Sequence, residues 1–246
     1  MLQPTSQAIS TAFSLLKDKT NQILLMIGII MLFIEFYGWQ APFYRLFGPL
    51  FTDASRNQLL FYAQAYTSVS FILLMIVVPV IYFRFFETSR LRGLGLQAPH
   101  LTDAKPYAAF AILMTPVLFI ACAQPGFYQF YPLYKPQGPS DWLAFETIYA
   151  MQFIATEFFF RGPLLFALYK KIKDTAIFVM VIPYALIHIH KPLPEALGSI
   201  VAGVLLGVLA IKSKSIWWGV LLHIYIALLA DTLGLFYSGR LLELFN

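Results

Sequence analysis

Glu157 and Arg161 stand four residues apart inside an otherwise apolar segment that runs from about Trp142 to Tyr169. A charge set centrally in a membrane helix costs roughly 2.5–3.5 kcal/mol on insertion scales, so two in one segment mark a place where chemistry is expected. On a helix such residues share a face, and the acid on the N-terminal side is the better order for an ion pair. Two histidines, His188 and His223, follow in later apolar segments. At about 1.5 Å per residue, Glu157 falls roughly 20 Å from the basic end of its segment, His188 roughly 20 Å along the next and His223 roughly 12 Å into the last. Three groups capable of acid–base chemistry are therefore expected at similar depth. A neutral imidazole and a carboxylate can share a water and take its proton as it attacks a carbonyl, while a second imidazole donates to the oxyanion that forms. Peptide hydrolysis fits this set. Zinc binding by Glu157, His188 and His223 is chemically open as well, since two His and one carboxylate with a free position form a catalytic zinc set. The compact His-Glu-x-x-His helix that would make zinc specific is absent from the sequence.

Other ionisable residues rank lower. Glu35 and Glu146 are expected near the outer ends of their segments, where a carboxylate reaches water. Asp231 lies two turns beyond His223 on one helix face, placed either to hydrogen-bond within the bundle or to approach the outer interface. His190 adjoins Lys191 and is expected at the outer edge. The lone cysteine, Cys122, excludes an internal disulfide or a cysteine metal cluster and reads as a small buried hydrophobe. The run Phe158–Phe160 reads as lipid-facing and core packing, and Gly198, Ser199, Ala202, Gly203 and Gly207 as a small-residue face for close helix contact.

The elements that must position these groups follow from composition. Apolar residues make up 59% of the chain, charged residues 12%, and mean hydropathy is +0.72, which excludes a soluble globular domain and points to an all-α polytopic membrane bundle. About 20 apolar residues cross a bilayer, and on that rule seven segments are expected, give or take one, near 22–41, 59–83, 107–124, 142–169, 175–190, 195–211 and 215–237. Ser10 to Leu16 is a candidate extra helix on the surface. The net charge of +5 comes from loop positives and implies topology rather than nucleic acid. One set of alternate loops carries eleven basic residues, Arg84, Arg90, Arg92 and Lys105 among them, and the other set five, which predicts a cytoplasmic N-terminus and an outer C-terminus. The N-terminal stretch reads as retained rather than cleaved. Without repeats or a soluble insert, the chain is expected to be a single membrane domain over 1–246, with its working core in 142–237.

Glu157-x-x-x-Arg161-Gly162, then Tyr184-x-x-x-His188, then His223 in a final segment resembles the CAAX-protease and bacteriocin-processing family of intramembrane proteases, also called the Abi family. The flanking Phe158-Phe159-Phe160, His188-Ile-His-Lys191-Pro192 and Ser215-Ile-Trp217-Trp218-Gly219 are similar to a bacterial branch. The resemblance implies an intramembrane endopeptidase of glutamic type without metal or cofactor. It further implies that Glu157 and His188 activate water, His223 binds the oxyanion, Arg161 orients Glu157, and Thr156 helps to place the water. Two positions depart from the family. Thr156 replaces the first of a usual glutamate pair, and Ala227 replaces the usual Asn or Asp four residues after the last His. Two other classes stay open: a catalytically silent relative acting as a membrane scaffold or immunity-type protein, and a small transporter or channel, since acid, His and Arg also build proton relays. Expected partners are membrane lipids and a peptide or membrane-protein substrate, and no nucleic acid.

Overall fold

The computed structural model describes residues 3–86 and 91–245, so Arg90 of the charge tally lies outside the described residues. The chain is an all-α bundle; among the described residues the one β-type pairing is a single bridge between Leu96 and Ser215. In order come α1 (Gln3–Leu16), α2 (Lys19–Gly38), α3 (Gln40–Leu46), α4 (Arg56–Phe85) and α5 (Leu101–Cys122). After these come α6 (Pro139–Phe159, continued to Ile172), α7 (Thr175–Leu186), α8 (Leu193–Ser213) and α9 (Trp217–Tyr237). The surface helix expected at Ser10–Leu16 is the second half of α1.

Five of these, α2, α4, α5, α8 and α9, are long and apolar enough to cross a bilayer. The chain is thus a multi-pass membrane protein. α6 and α7 occupy the fourth and fifth expected segments. At 12 residues, α7 is about 18 Å long, short of the roughly 30 Å hydrocarbon layer.

Local chemistry sets the helix ends. Ser55 and Gln58 form a reciprocal capping box at the start of α4. Asp18 caps α2, accepting from Thr20 and Asn21 N–H, and Lys171 at the far end of α6 reaches it at 2.9 Å. The Lys171 hydrogen bond, then that of the Asn21 N–H, hold the Asp18 carboxyl down at about 2. Pro163 lacks an N–H and so cannot close the usual turn in α6, and the helix widens to π geometry over Phe160–Phe166. Arg161 sits in that widened turn.

The core gathers around the same turn. Phe158, Phe159, Phe160, Leu164 and Leu165 are all buried, which corrects the lipid-facing part of the expectation for the phenylalanine run. α7 packs on α8, and α9 on α5 and α6. The small-residue face of α8 makes the first of these contacts: a Cβ at Gly203 would meet Tyr184 at 3.0 Å, and one at Gly207 would meet Ile177 at 3.1 Å. Gly198, with open space beside it, does not pack in this way. Glu35 is exposed and pairs with His190 at 3.2 Å, both at the surface. Glu146 is not where the sequence reading put it. It is buried, and its carboxyl hydrogen-bonds the carboxyl of Asp231, the two sharing a proton. Asp231, buried too, accepts from Leu133 N–H at 2.8 Å and so joins the bundle rather than the interface.

Candidate active site

Glu157 projects from α6 into the bundle and is wholly buried. One oxygen, Oε1, meets Arg161 Nη1 at 3.0 Å and His223 Nδ1 at 2.8 Å. The other, Oε2, fits because position 219 is glycine: a Cβ there would stand 3.0 Å from it. Gly219 lies one turn before His223 on α9, so the same helix face that brings the imidazole makes room for its carboxylate. The sequence reading quoted Gly219 only as part of a flanking motif; the signal that could have found it is its i, i+4 relation to His223.

Arg161 is as buried as Glu157. Its guanidinium lies over the Tyr184 ring at 4.2 Å, a cation–π contact, and keeps Coulombic contact with Glu157. None of its nitrogens has a well-aligned hydrogen bond among the described residues. Its hold on the site is therefore charge and ring packing rather than a directed fork.

His188 stands just past the end of α7, and its Nδ1 lies 2.7 Å from the Tyr184 carbonyl. A carbonyl only accepts, so Nδ1 carries the proton and Nε2 is left with its lone pair in the neutral ring. A carboxylate oxygen likewise accepts, so His223 Nδ1 donates to Glu157. The two imidazoles run nearly parallel, with centroids 6.4 Å apart and planes inclined at 16°. Phe153 and Tyr184 flank them, at 4.6 Å from His223 and 4.8 Å from His188.

Both histidines line a cavity of about 510 Å³ between α5, α8 and α9. The lining is overwhelmingly apolar. Leu113 and Val117 of α5 and Val201 and Leu205 of α8 take part in it and are also exposed on the outer surface, so the cavity opens sideways between these helices. Gly198 and Ala202 line it too, which gives part of the small-residue face a use other than packing. A polar end is formed by His188, His223, Lys191, Glu195, Tyr131 and Tyr149.

The expected site residues are thus brought together unequally. His188 and His223 share the cavity. Glu157 stands behind His223, outside the lining, and touches the cavity only through that ring. Thr156 is buried, off the lining, and its hydroxyl donates to the Gln152 carbonyl at 2.9 Å. Ala227 lines the cavity and brings no polar group. Among the described residues no three His, Cys, Asp or Glu side chains are placed to share a metal ion. Lys191 was missed: read from sequence as an outer loop charge, it points its amine into the polar end, 2.9 Å from the Tyr131 hydroxyl and 3.2 Å from that of Tyr149.

Two near-parallel imidazoles, one of them backed by a buried carboxylate, thus stand together at the polar end of an apolar cavity in a membrane bundle. Residues 136–229 match the family model described as Type II CAAX prenyl endopeptidase Rce1-like. That segment holds Glu157, Arg161, His188 and His223, and the match bears out the resemblance drawn from the same residues. No curated protein and no solved structure matches the chain.

Proposed function

We propose that this chain is an intramembrane endopeptidase that hydrolyses a peptide bond presented at the edge of the bilayer. The observation that carries the reading is the pair of imidazoles, His188 and His223, facing one laterally open apolar cavity with a buried carboxylate bonded behind one of them. The family match supports the same class of reaction.

In the proposed reaction a water lies between the two Nε2 atoms. Its oxygen attacks the scissile carbonyl carbon, its proton passes to His223 Nε2, and the carbonyl π electrons move onto oxygen. Glu157 stabilises the imidazolium that forms, as a carboxylate does for an imidazole base, and Arg161 keeps Glu157 in place. Collapse of the tetrahedral intermediate breaks the C–N bond, and the proton on His223 goes to the leaving nitrogen. Glu157 is therefore a positioning residue: its carboxylate acts through His223 and not on water directly. His188 holds the water. Thr156 is given no part in the proposed chemistry: it lies off the cavity lining, and its hydroxyl proton is committed to the Gln152 carbonyl.

The substrate that suits this cavity is a peptide carrying an apolar group, either a lipidated side chain or a membrane-buried segment, which enters between α5 and α8. The N-terminus is proposed to face the cytoplasm, in keeping with the loop charges. The test is incubation of the purified chain in proteoliposomes with a peptide ending in S-farnesyl-Cys-Ala-Ala-Leu, and with its unprenylated twin, in isotopically labelled water. Mass spectrometry is expected to find a shortened product with one labelled oxygen in its new carboxylate, absent with His188→Ala and His223→Ala. Uncleaved peptide with correctly folded native protein, or product without label, would refute direct hydrolysis.

A further inference from the structure

We infer that Lys191 is a further catalytic residue of this site, its ammonium supplying the donor that stabilises the oxyanion. The inference rests on the hydrolytic reading above. When water attacks, negative charge moves onto the carbonyl oxygen, and a site that accelerates the step needs a fixed donor aimed into the cavity. Both imidazoles have Nδ1 committed, His188 to the Tyr184 carbonyl and His223 to Glu157, and the proposed reaction uses both Nε2 atoms as acceptors of the attacking water. On that route neither donates to the oxyanion at the moment of attack.

The rest of the lining narrows the choice. The backbone N–H groups of Tyr131 and Lys191 are spent on the carbonyls of Phe127 and His188. The Ser199 hydroxyl donates to the Ala196 carbonyl and that of Tyr131 to Glu195, which leaves the neutral phenols of Tyr149 and Tyr184 and the amine of Lys191; of these only the amine can bring a positive charge to an oxyanion. Ala227, one turn beyond His223, carries no donor. Arg161 stands outside the lining, and Lys191 is the only lysine or arginine in it among the described residues.

Lys191 is also held as an oxyanion donor must be. It follows His188 by three residues, and its backbone N–H closes the turn on the His188 carbonyl at 3.0 Å, which fixes where its side chain starts. The amine donates to Tyr131 and Tyr149, at 2.9 Å and 3.2 Å, and lies 5.0 Å from the Tyr131 ring centroid. Its carboxylate partner, Glu195, is 4.0 Å away, beyond hydrogen-bond reach, and is itself bound at both oxygens by the Tyr131 hydroxyl. An ammonium has three donors, and two are used here. The third is left for the oxyanion, in surroundings of low dielectric where such a contact is strongest.

The test uses the full chain in nanodiscs and two probes of one S-farnesylated peptide. One is a phosphonate whose tetrahedral anion stands at the scissile carbonyl, the other the matched uncharged ketomethylene isostere. The native chain is expected to bind the phosphonate tighter by ~10²-fold or more, the preference shown for transition-state analogues. Lys191→Met should bring the two affinities close together with isostere binding unchanged, and Lys191→Arg, which keeps the charge, should retain part of the preference. In cleavage, Lys191→Met should lower kcat by ~10²-fold or more with KM little altered. No phosphonate preference in the native chain, or an undiminished one in a folded Lys191→Met protein, overturns the assignment. A raised KM with native kcat also overturns it and makes Lys191 a substrate anchor. Because the binding comparison needs no turnover, a native chain that never cleaves would sink the hydrolytic reading while this measurement still decides whether Lys191 meets an oxyanion-like charge.

Discussion

At the scale of single residues, the account turns on Glu157 serving His223 instead of water. Glu157→Gln keeps the shape of the side chain but cannot stabilise an imidazolium, so kcat should fall by up to ~10⁴-fold with KM little changed. Thr156→Val, which removes a hydroxyl spent on the Gln152 carbonyl, should leave kcat close to native; a large loss would return Thr156 to the chemistry. Arg161→Met should act on stability as well as rate. Removing one partner of a buried ion pair costs about 3–5 kcal/mol, so thermal unfolding in detergent should drop clearly, and a native melting point would contradict the pairing. The sequence disclosed which side chains matter, because ionisable groups in apolar segments are few and costly. It did not disclose that the Glu157 carboxylate lies behind the His223 ring and off the cavity lining, since the inward face of a mostly apolar helix is chosen by its neighbours. Lys191 was hidden for a related reason: a lysine beside Pro192 reads as a loop charge until Tyr131 and Tyr149, distant in sequence, close around it.

At the scale of elements, the site depends on α6, α7 and α9 meeting closely. Gly219→Ala would put a methyl group 3.0 Å from Glu157 Oε2, so the carboxylate must shift by a few tenths of an ångström relative to the His223 ring. Activity should fall well below native while the melting point changes little, and full activity in that variant would show that the carboxylate has slack. The helices themselves were legible from apolar length, with boundaries shifted by a few residues. The π turn over Phe160–Phe166 was not, although Pro163 was its available signal. Far from the site, Lys171 on the end of α6 ties down the cap of α2 through Asp18. A depressed carboxyl gives stability that is present above its unfolded value and lost as pH falls through the folded one, here between 3.8 and about 2. Both side chains are about half exposed, so the effect on unfolding is small. Lys171→Met should return the Asp18 titration, followed by NMR, toward 3.8, and an unmoved titration would assign the shift to the helix cap alone.

At the scale of the whole molecule, the five membrane-length helices and the cavity open between α5 and α8 suit the proposal that substrate enters from the lipid side. The proposed orientation predicts that, in intact cells, a protease tag fused after Asn246 is cut from outside and one fused before Met1 is protected; the reverse pattern would invert the topology. The lateral opening could not be read from sequence, because α5 and α8 expose apolar residues alike to lipid and to the cavity. The most direct test of the central claim is the kcat for the farnesylated peptide in proteoliposomes, measured for native, His223→Ala and Glu157→Gln proteins that melt cooperatively. The account predicts cleavage by the native chain, its loss in His223→Ala, and a deep fall in Glu157→Gln with KM preserved. Cleavage by His223→Ala at the native rate would contradict it.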